Sequence, residues 1–174
     1  QEFISGIEMN IPFNIIIKST LSSMHSFYEL RKFLRNGKFC LTTVDTIFRE
    51  EDFSGYIQAF KENNDVDGMM AVTDFIEDEK PLYVDTDENL YIRGCFESAN
   101  SYKYISGGIY GLTPKCIDTL EKCMARNQSR MRNYQRQLVL DGLLLKAYPL
   151  SKIIDVDHAG DIETAEMFLI NDTE

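Results

Sequence analysis

The chain has 174 residues, of which 44% are hydrophobic and 26% are charged, a composition typical of globular proteins. This length suits one hydrophobic core, so we predict a single domain over residues 1–174. The formal net charge of −10 argues against nucleic acid or an anionic membrane surface as a general partner. There is no signal-peptide pattern, and the four cysteines have no zinc-ligand spacing, so we expect a cytoplasmic protein with reduced thiols.

The predicted elements alternate between strands and helices along most of the chain. In order, we predict a strand at 14–18, a helix over 24–34, a strand at 39–45, a helix over 52–60, a strand at 67–75, a hairpin of 81–84 with 90–93, a strand at 104–110, a helix from 113, a helix over 129–141, strands at 144–148 and 152–156, and a helix over 161–170. This order predicts an α/β fold in which a mixed, mostly parallel sheet has helices on both faces.

Two of these strands each deliver a carboxylate at their carboxyl end. FCLTTVD ends at Asp45, and the last predicted strand carries Asp155. A charge in such a place costs several kcal/mol unless it is paired or bound to a metal. Ligands of open α/β sheets collect beyond the carboxyl ends of strands, where two carboxylates would suit Mg²⁺. The alternative is that each aspartate caps its own turn, and the spacing leaves both interpretations open.

Four arginines form a local basic cluster in an otherwise acidic chain: Arg126, Arg130, Arg132 and Arg136. We interpret this cluster as a solvated helix face, and the alternative is a site for phosphate or a charged substrate. His158 follows the last predicted strand, and we expect it to cap the next turn rather than to catalyse. No Ser/His/Asp or Cys/His arrangement can be built from only two histidines.

Three segments resemble those of the nucleotidyltransferases that make nucleotide-activated sugars and related phosphates. FCLTTVDTIF resembles the family's strand with a metal-binding aspartate, and KYISGGIYGLT is similar to its Gly-Ile-Tyr strand. KIIDVDHAGDIETAEMFL resembles its closing strand, turn and helix. Their order and spacing also match, from about Ile15 to Leu169. The resemblance implies the Rossmann-like fold of nucleotide-diphospho-sugar transferases.

The resemblance also implies an activity and the residues that perform it. Mg²⁺ on Asp45 and Asp155 would serve transfer of a nucleoside monophosphate from a nucleoside triphosphate to a phosphorylated acceptor, with release of pyrophosphate. The implied nucleotide-binding residues are Thr20, Ser22 and Ser23, and the implied acceptor-binding residues are Glu97, Gly107 and Gly108. The acceptor would be a sugar phosphate, with a phosphocholine-like compound as second choice. The glycine pair also has a structural interpretation, a β-bulge.

Two other functions remain as alternatives. A glycosyltransferase of the related fold would normally carry an Asp-x-Asp motif where this chain has Val44-Asp45-Thr46. A nucleotide-binding module without catalysis would keep the fold and lose turnover. The sequence is compatible with a monomer and with an oligomer.

One feature of the family has no counterpart in this sequence. Members open with a strand and a glycine-rich loop of the type GxGxR, whose backbone N–H groups wrap the triphosphate. Here Gly6 and Gly37 are isolated, and the chain starts at Gln1. We therefore expect the C-terminal portion of a nucleotidyltransferase domain, incomplete at its N-terminus.

The first prediction concerns this loop. Without it, the 174-residue chain by itself should bind nucleoside triphosphates weakly and release no pyrophosphate. A coupled pyrophosphate assay with Mg²⁺ and candidate acceptors measures this directly. Sustained release of pyrophosphate by the purified chain would contradict the expectation.

Overall fold

The computed structural model of the chain describes residues 11–75, 80–98, 101–156 and 158–170. The helices are α1 (Ser23–Leu30), α2 (Glu50–Glu62), α3 (Lys115–Ala125), α4 (Met131–Leu140) and α5 (Ala159–Ile170). The strands are β1 (Phe39–Thr42), β2 (Thr46–Phe48), β3 (Gly68–Thr73), β4 (Tyr83–Thr86), β5 (Ile92–Phe96), β6 (Tyr104–Leu112), β7 (Leu145–Pro149) and β8 (Ile153–Asp155). None of the described helices is long and apolar enough to cross a membrane.

Six strands form the main sheet, in the order β5-β4-β6-β3-β7, with β1 also paired to β6. The prediction of an α/β fold with a mixed sheet is confirmed. The described pairs differ from it in one respect, because only β3 and β7 are parallel and the other pairs are antiparallel. The reason is that no described helix separates β3, β4, β5 and β6 along the chain. A parallel neighbour requires a crossover connection, whereas strands joined without one reverse direction.

The strand β3, which lies between β6 and β7, is buried along its whole length and packs against helices on both faces of the sheet. Met70 and Val72 belong to the core cluster that contains the apolar faces of α1, α3 and α4. Met69 and Ala71 belong to the opposite cluster, where Phe60 of α2 packs. Successive side chains of a strand point to opposite faces, so β3 contributes to both cores. The predicted apolar strand and the helices on both faces are thus confirmed.

A second, smaller sheet carries one of the predicted metal ligands. Strands β2 and β8 are antiparallel, with Thr46 directly opposite Asp155. Ile154 packs with Ala165 and Phe168 of α5 in a separate apolar cluster. The β8–α5 unit therefore lies beside the main sheet and not within it.

Two predicted strands differ from the structure. Residues 14–18 form no strand, and Ile15 and Ile17 remain 47% and 67% exposed. No described strand pairs with this segment, and an unpaired strand is not stable in water. The other strand, β1, ends at Thr42, so Asp45 lies in the turn that leads into β2.

The carboxylate of Asp141, at the end of α4, ties this helix to α3. Its Oδ2 accepts hydrogen bonds of 2.9 Å from Lys122 Nζ and Thr119 Oγ1, and its Oδ1 accepts one of 2.6 Å from Gln137 Nε2. The hydrogen bond from Lys122 is the largest cause that lowers the pKa of Asp141 from 3.8 to about 2. The charged form is therefore favoured in the folded state.

This lowered pKa predicts a pH-dependent stability. Because the folded-state pKa is below the unfolded one, the stabilisation is present above about pH 4 and is lost as the pH falls towards about 2. Asp141→Asn should lower the free energy of unfolding by about 2 kcal/mol near neutral pH, as expected for hydrogen bonds to a charged group. Thermal unfolding between neutral and acid pH should show the difference from wild type shrinking. Asp118→Asn, at an exposed position on α3, is the control and should show little effect at any pH.

Candidate active site

The candidate site opens where two strands share one edge of β6. The strand β1 pairs with the second half of β6 and β4 with its first two residues, so residues 106–108 have no strand partner on this edge among the described residues. The other edge of β6 is irregular at the same place, since Met70 lies opposite Tyr110 but Val72 lies opposite Ser106. The predicted bulge at the glycine pair is therefore present. Strand pairing of β6 is thus interrupted on both edges here, and we call this interruption the gap.

Asp45 and Asp155 come together at this gap. The backbone N–H of Val156 donates a hydrogen bond of 2.9 Å to the carbonyl oxygen of Asp45, which extends the pairing of β2 with β8. Both aspartates line one cleft of about 330 Å³. Asp45 is half-buried and Asp155 is exposed. The structure thus brings together two residues that are far apart in the sequence, and their role as metal ligands stays a prediction.

A larger cleft of about 580 Å³ adjoins the first and lies between the main sheet and the β8–α5 unit. The two clefts share Ser106, Arg132 and Asp155. The larger cleft is otherwise lined by Thr73, Phe75, Lys80, Ile105, Gly107, Ile153, Ile154, His158, Asp161 and Thr164. Asp155 therefore stands at the junction of a small compartment and a roomier one.

Cationic side chains face both compartments although the chain as a whole is acidic. Arg130 lines the smaller cleft, Arg132 lines both, and Lys80 lines the larger one. The sequence had suggested a solvated helix face for the arginine cluster. The structure differs from this interpretation for Arg130 and Arg132, because α4 begins at the cleft. Arg130 directly precedes the helix and Arg132 lies in its first turn. Cations at this place make the clefts suitable for an anionic ligand.

The comparisons with known proteins agree with this architecture. No family model and no curated protein sequence matches the chain. Several solved structures match with TM-scores of 0.65 to 0.76. The inositol-1-phosphate CTP transferase of T. maritima has a TM-score of 0.71 and 20% identity, with 86% of this chain and 62% of that chain covered.

Two further solved structures also match the chain. A protein described as the glucose-1-phosphate thymidylyltransferase of Bacillus anthracis, in complex with a sucrose, has a TM-score of 0.76 and 15% identity, with 91% of this chain and 65% of that chain covered. A UDP-glucose pyrophosphorylase complexed with UDP-glucose has a TM-score of 0.65 and 16% identity, with coverages of 88% and 64%. The chain has the nucleotidyltransferase fold. It spans less than two thirds of the length of these enzymes.

Within this nucleotidyltransferase fold, only one of the three predicted nucleotide-binding residues lines a cleft. Ser23 lines the smaller cleft together with Asp45. Thr20 and Ser22 are not among the residues that line either cleft. Their hydroxyl oxygens lie 2.7 Å from Ser26 Oγ and 2.9 Å from His25 Nδ1, respectively, in the first turn of α1. Of the three, Ser23 is placed to meet a ligand in the cleft, and nucleotide binding stays a prediction for the set.

Two of the three predicted acceptor-binding residues line a cleft. Gly107 lines the larger cleft and Gly108 the smaller one, whereas Glu97 is exposed outside both. Glu97 pairs with Arg136 at 3.0 Å and with Arg132 at 3.8 Å, and the hydrogen bond from Arg136 holds its pKa below the ordinary value. Glu97 does not line a cleft itself, but it forms an ion pair with Arg132, which lines both. Acceptor binding by Glu97, Gly107 and Gly108 stays a prediction.

The residues present fit Mg²⁺ in their chemistry. Two carboxylates line one cleft, and Mg²⁺ usually takes one or two carboxylates and completes its octahedron with waters and substrate phosphates. No group of three or more His, Cys, Asp or Glu side chains within the described ranges could hold a metal ion.

A buried polar network of three side chains lines the smaller cleft, and it was not among the residues predicted from the sequence. Ser106 Oγ donates a hydrogen bond of 2.8 Å to Gln135 Oε1, and Gln135 Nε2 donates one of 3.2 Å to Tyr110 Oη. Gln135 is 3% exposed, and burial raises the pKa of Tyr110 to about 12, so the phenol stays protonated. The signal in the sequence was Gln135, a polar residue on the apolar face of a predicted helix.

Proposed function

We propose that this chain carries the catalytic cleft of a Mg²⁺-dependent nucleotidyltransferase. A phosphate oxygen of the acceptor would attack the α-phosphorus of a nucleoside triphosphate, and the bond to the pyrophosphate leaving group would break. The observation that supports this best is the placement of Asp45 and Asp155 on one cleft, in a fold shared with solved nucleotidyltransferases. This chemistry depends on positioning and charge neutralisation more than on a nucleophilic side chain.

We assign different roles to the side chains of the two clefts. Asp45 and Asp155 would hold the Mg²⁺, which would neutralise the charge that develops on the α-phosphate during nucleotidyl transfer. Arg132 and Lys80 provide the positive charge that an acceptor phosphate requires in the larger cleft. The smaller cleft, between Ser23 and Asp45, would then receive the nucleotide.

The lining of the larger cleft favours a polyhydroxylated acceptor, such as a sugar phosphate, over phosphocholine. A quaternary ammonium group is usually bound against open aromatic faces. Here Phe75 is the aromatic ring of the cleft, and Lys152 Nζ lies 4.0 Å from its centroid. A second cation at that face would be repelled. Thr164 offers a hydroxyl group, and Ser106 Oγ can still accept a hydrogen bond, so both can bind a polyol.

The metal part of the proposal is tested by the paramagnetic ion Mn²⁺ as a probe for Mg²⁺. Amide NMR signals near Asp45 and Asp155 should broaden on addition of Mn²⁺, and an excess of Mg²⁺ should restore them. Signals at the far end of β3, near Asp65, should stay sharp, since β3 places them about 20 Å away. Broadening spread evenly over the acidic surface would contradict the proposed site.

The reaction itself is tested on the full-length protein by a screen of nucleoside triphosphates against sugar phosphates and phosphocholine. We expect release of pyrophosphate with a sugar phosphate. Release of a nucleoside diphosphate from a nucleotide sugar would instead identify a glycosyltransferase. Nucleotide binding with no turnover of any pair would identify a non-catalytic binding module.

A further inference from the structure

Two threonine hydroxyls lie directly behind the carboxylate of Asp155. Thr46 Oγ1 donates a hydrogen bond of 3.0 Å to Asp155 Oδ1, across the β2–β8 pair in which the two residues are opposite each other. Thr43 Oγ1 is hydrogen-bonded to Thr46 Oγ1. A hydroxyl has one proton, and that of Thr46 is used on the carboxylate. Thr43 must therefore donate to Thr46, and the three groups form a chain that ends at Asp155.

This hydrogen-bond chain is enclosed, which distinguishes it from a surface contact. Thr46 is 7% exposed although its partner Asp155 is exposed. The backbone of Gly108 closes over both hydroxyls: a Cβ there would lie 2.8 Å from Thr46 Oγ1 and 3.0 Å from Thr43 Oγ1. Gly108 also has φ +74°, in the left-handed region that favours glycine. The close approach to the two threonines and the positive φ thus account for a glycine at position 108, without reference to an acceptor substrate.

We propose that Thr46, supported by Thr43, is a positioning residue that sets the orientation of the Asp155 carboxylate for the metal. This inference rests on the proposed function, because it assumes that Asp155 is a metal ligand. Asp155 lies at the end of a three-residue strand and lines the same cleft as Asp45. A donated hydrogen bond fixes the orientation of its carboxylate and stabilises the charged form. Hydrogen bonds to ligating carboxylates commonly serve this purpose in metal sites.

The test measures the Mn²⁺ affinity of the full chain by amide broadening, with three variants. Thr46→Val keeps the β-branched shape but removes the donor, and it should weaken Mn²⁺ binding by roughly 10-fold to 100-fold, as for other groups that orient metal ligands. Thr46→Ser restores the hydroxyl and should restore the affinity. Thr42→Val, at an exposed threonine of β1, is the matched control and should bind as wild type does.

Gly108→Ala and Thr43→Val provide independent evidence. The added Cβ of Gly108→Ala should displace the Thr46 hydroxyl, so this variant should lose affinity as Thr46→Val does. Thr43→Val should cause a smaller loss, because Thr46 can still donate to Asp155. Thermal unfolding of each variant identifies any that do not fold. If Thr46→Val does not fold, Gly108→Ala decides the question: wild-type Mn²⁺ affinity in a folded Gly108→Ala would contradict the positioning role.

The outcomes separate this inference from the proposed function. Absence of broadening near Asp45 and Asp155 in the wild type would contradict both. Broadening in the wild type that a folded Thr46→Val retains would contradict the positioning role alone. Weak binding by Thr46→Ser, equal to that of Thr46→Val, would show that the hydroxyl is not the group that matters.

Discussion

Asp45→Asn and Asp155→Asn should each lower the turnover of the full-length protein by roughly 10³-fold or more. The amide oxygen is a poor ligand for a hard cation, and loss of a metal contribution of about 4 kcal/mol to transition-state stabilisation corresponds to this factor. The fold should persist, because both side chains line a cleft and neither belongs to the apolar cores. Initial rates of pyrophosphate release at saturating substrates measure the effect, and thermal unfolding verifies the fold.

Asp65→Asn is the matched control for these substitutions. Asp65 is exposed and precedes the start of β3, whereas Thr73 of the larger cleft ends that strand. We expect its turnover to equal that of the wild type. If Asp45→Asn and Asp155→Asn keep more than about a tenth of the wild-type rate, a factor that corresponds to only 1.4 kcal/mol, the two carboxylates do not hold a catalytic metal.

Arg132→Gln should raise the KM for the acceptor by roughly 10-fold to 100-fold and leave kcat less affected. Arg132 lines both clefts, and a hydrogen bond to a charged group contributes about 1.5–3 kcal/mol. A loss of ground-state binding raises KM, whereas a loss confined to the transition state lowers kcat. Arg132→Lys keeps the charge but loses the planar fork of donors, so its acceptor KM should lie between those of the wild type and of Arg132→Gln.

Arg126→Gln is the control for this prediction. Arg126 belongs to the same basic cluster in the sequence, but it is exposed at the end of α3 and its side chain donates to Gln137. Its acceptor KM should stay at the wild-type value. An equal rise in KM for Arg126→Gln and Arg132→Gln would indicate a general electrostatic effect of the cluster and not a specific contact.

Local sequence patterns were sufficient for most of the secondary structure. The apolar run that became β3, the hairpin of β4 and β5, and the helix predicted over 129–141 were recognised because their signals depend on neighbouring residues alone. The run 14–18 had the same β-type composition and formed no strand. A strand requires a hydrogen-bonding partner, and a partner is not a property of the segment itself.

The directions of the strands show a second limit of the sequence. Alternating strands and helices predicted mostly parallel pairing, whereas β3 to β6 follow one another without a described helix and pair antiparallel. The hairpin was predicted from the sequence, but the antiparallel pairing of β6 with both β3 and β4 was not. That pairing depends on which strand lies next to which, and hence on the whole sheet.

The candidate site divides in the same way between sequence and tertiary structure. Residue type and strand position were enough to single out Asp45 and Asp155, because a carboxylate that follows an apolar strand is conspicuous in any sequence. Only the folded chain placed Arg132 and Gln135 at the smaller cleft with both aspartates, and only it set Thr46 against Asp155 and Gly108 against Thr46. These contacts join residues far apart in the chain, and their geometry depends on the pairing of β2 with β8 and on the bulge in β6. The sequence by itself determined which groups could do chemistry, and the tertiary structure decided which of them meet.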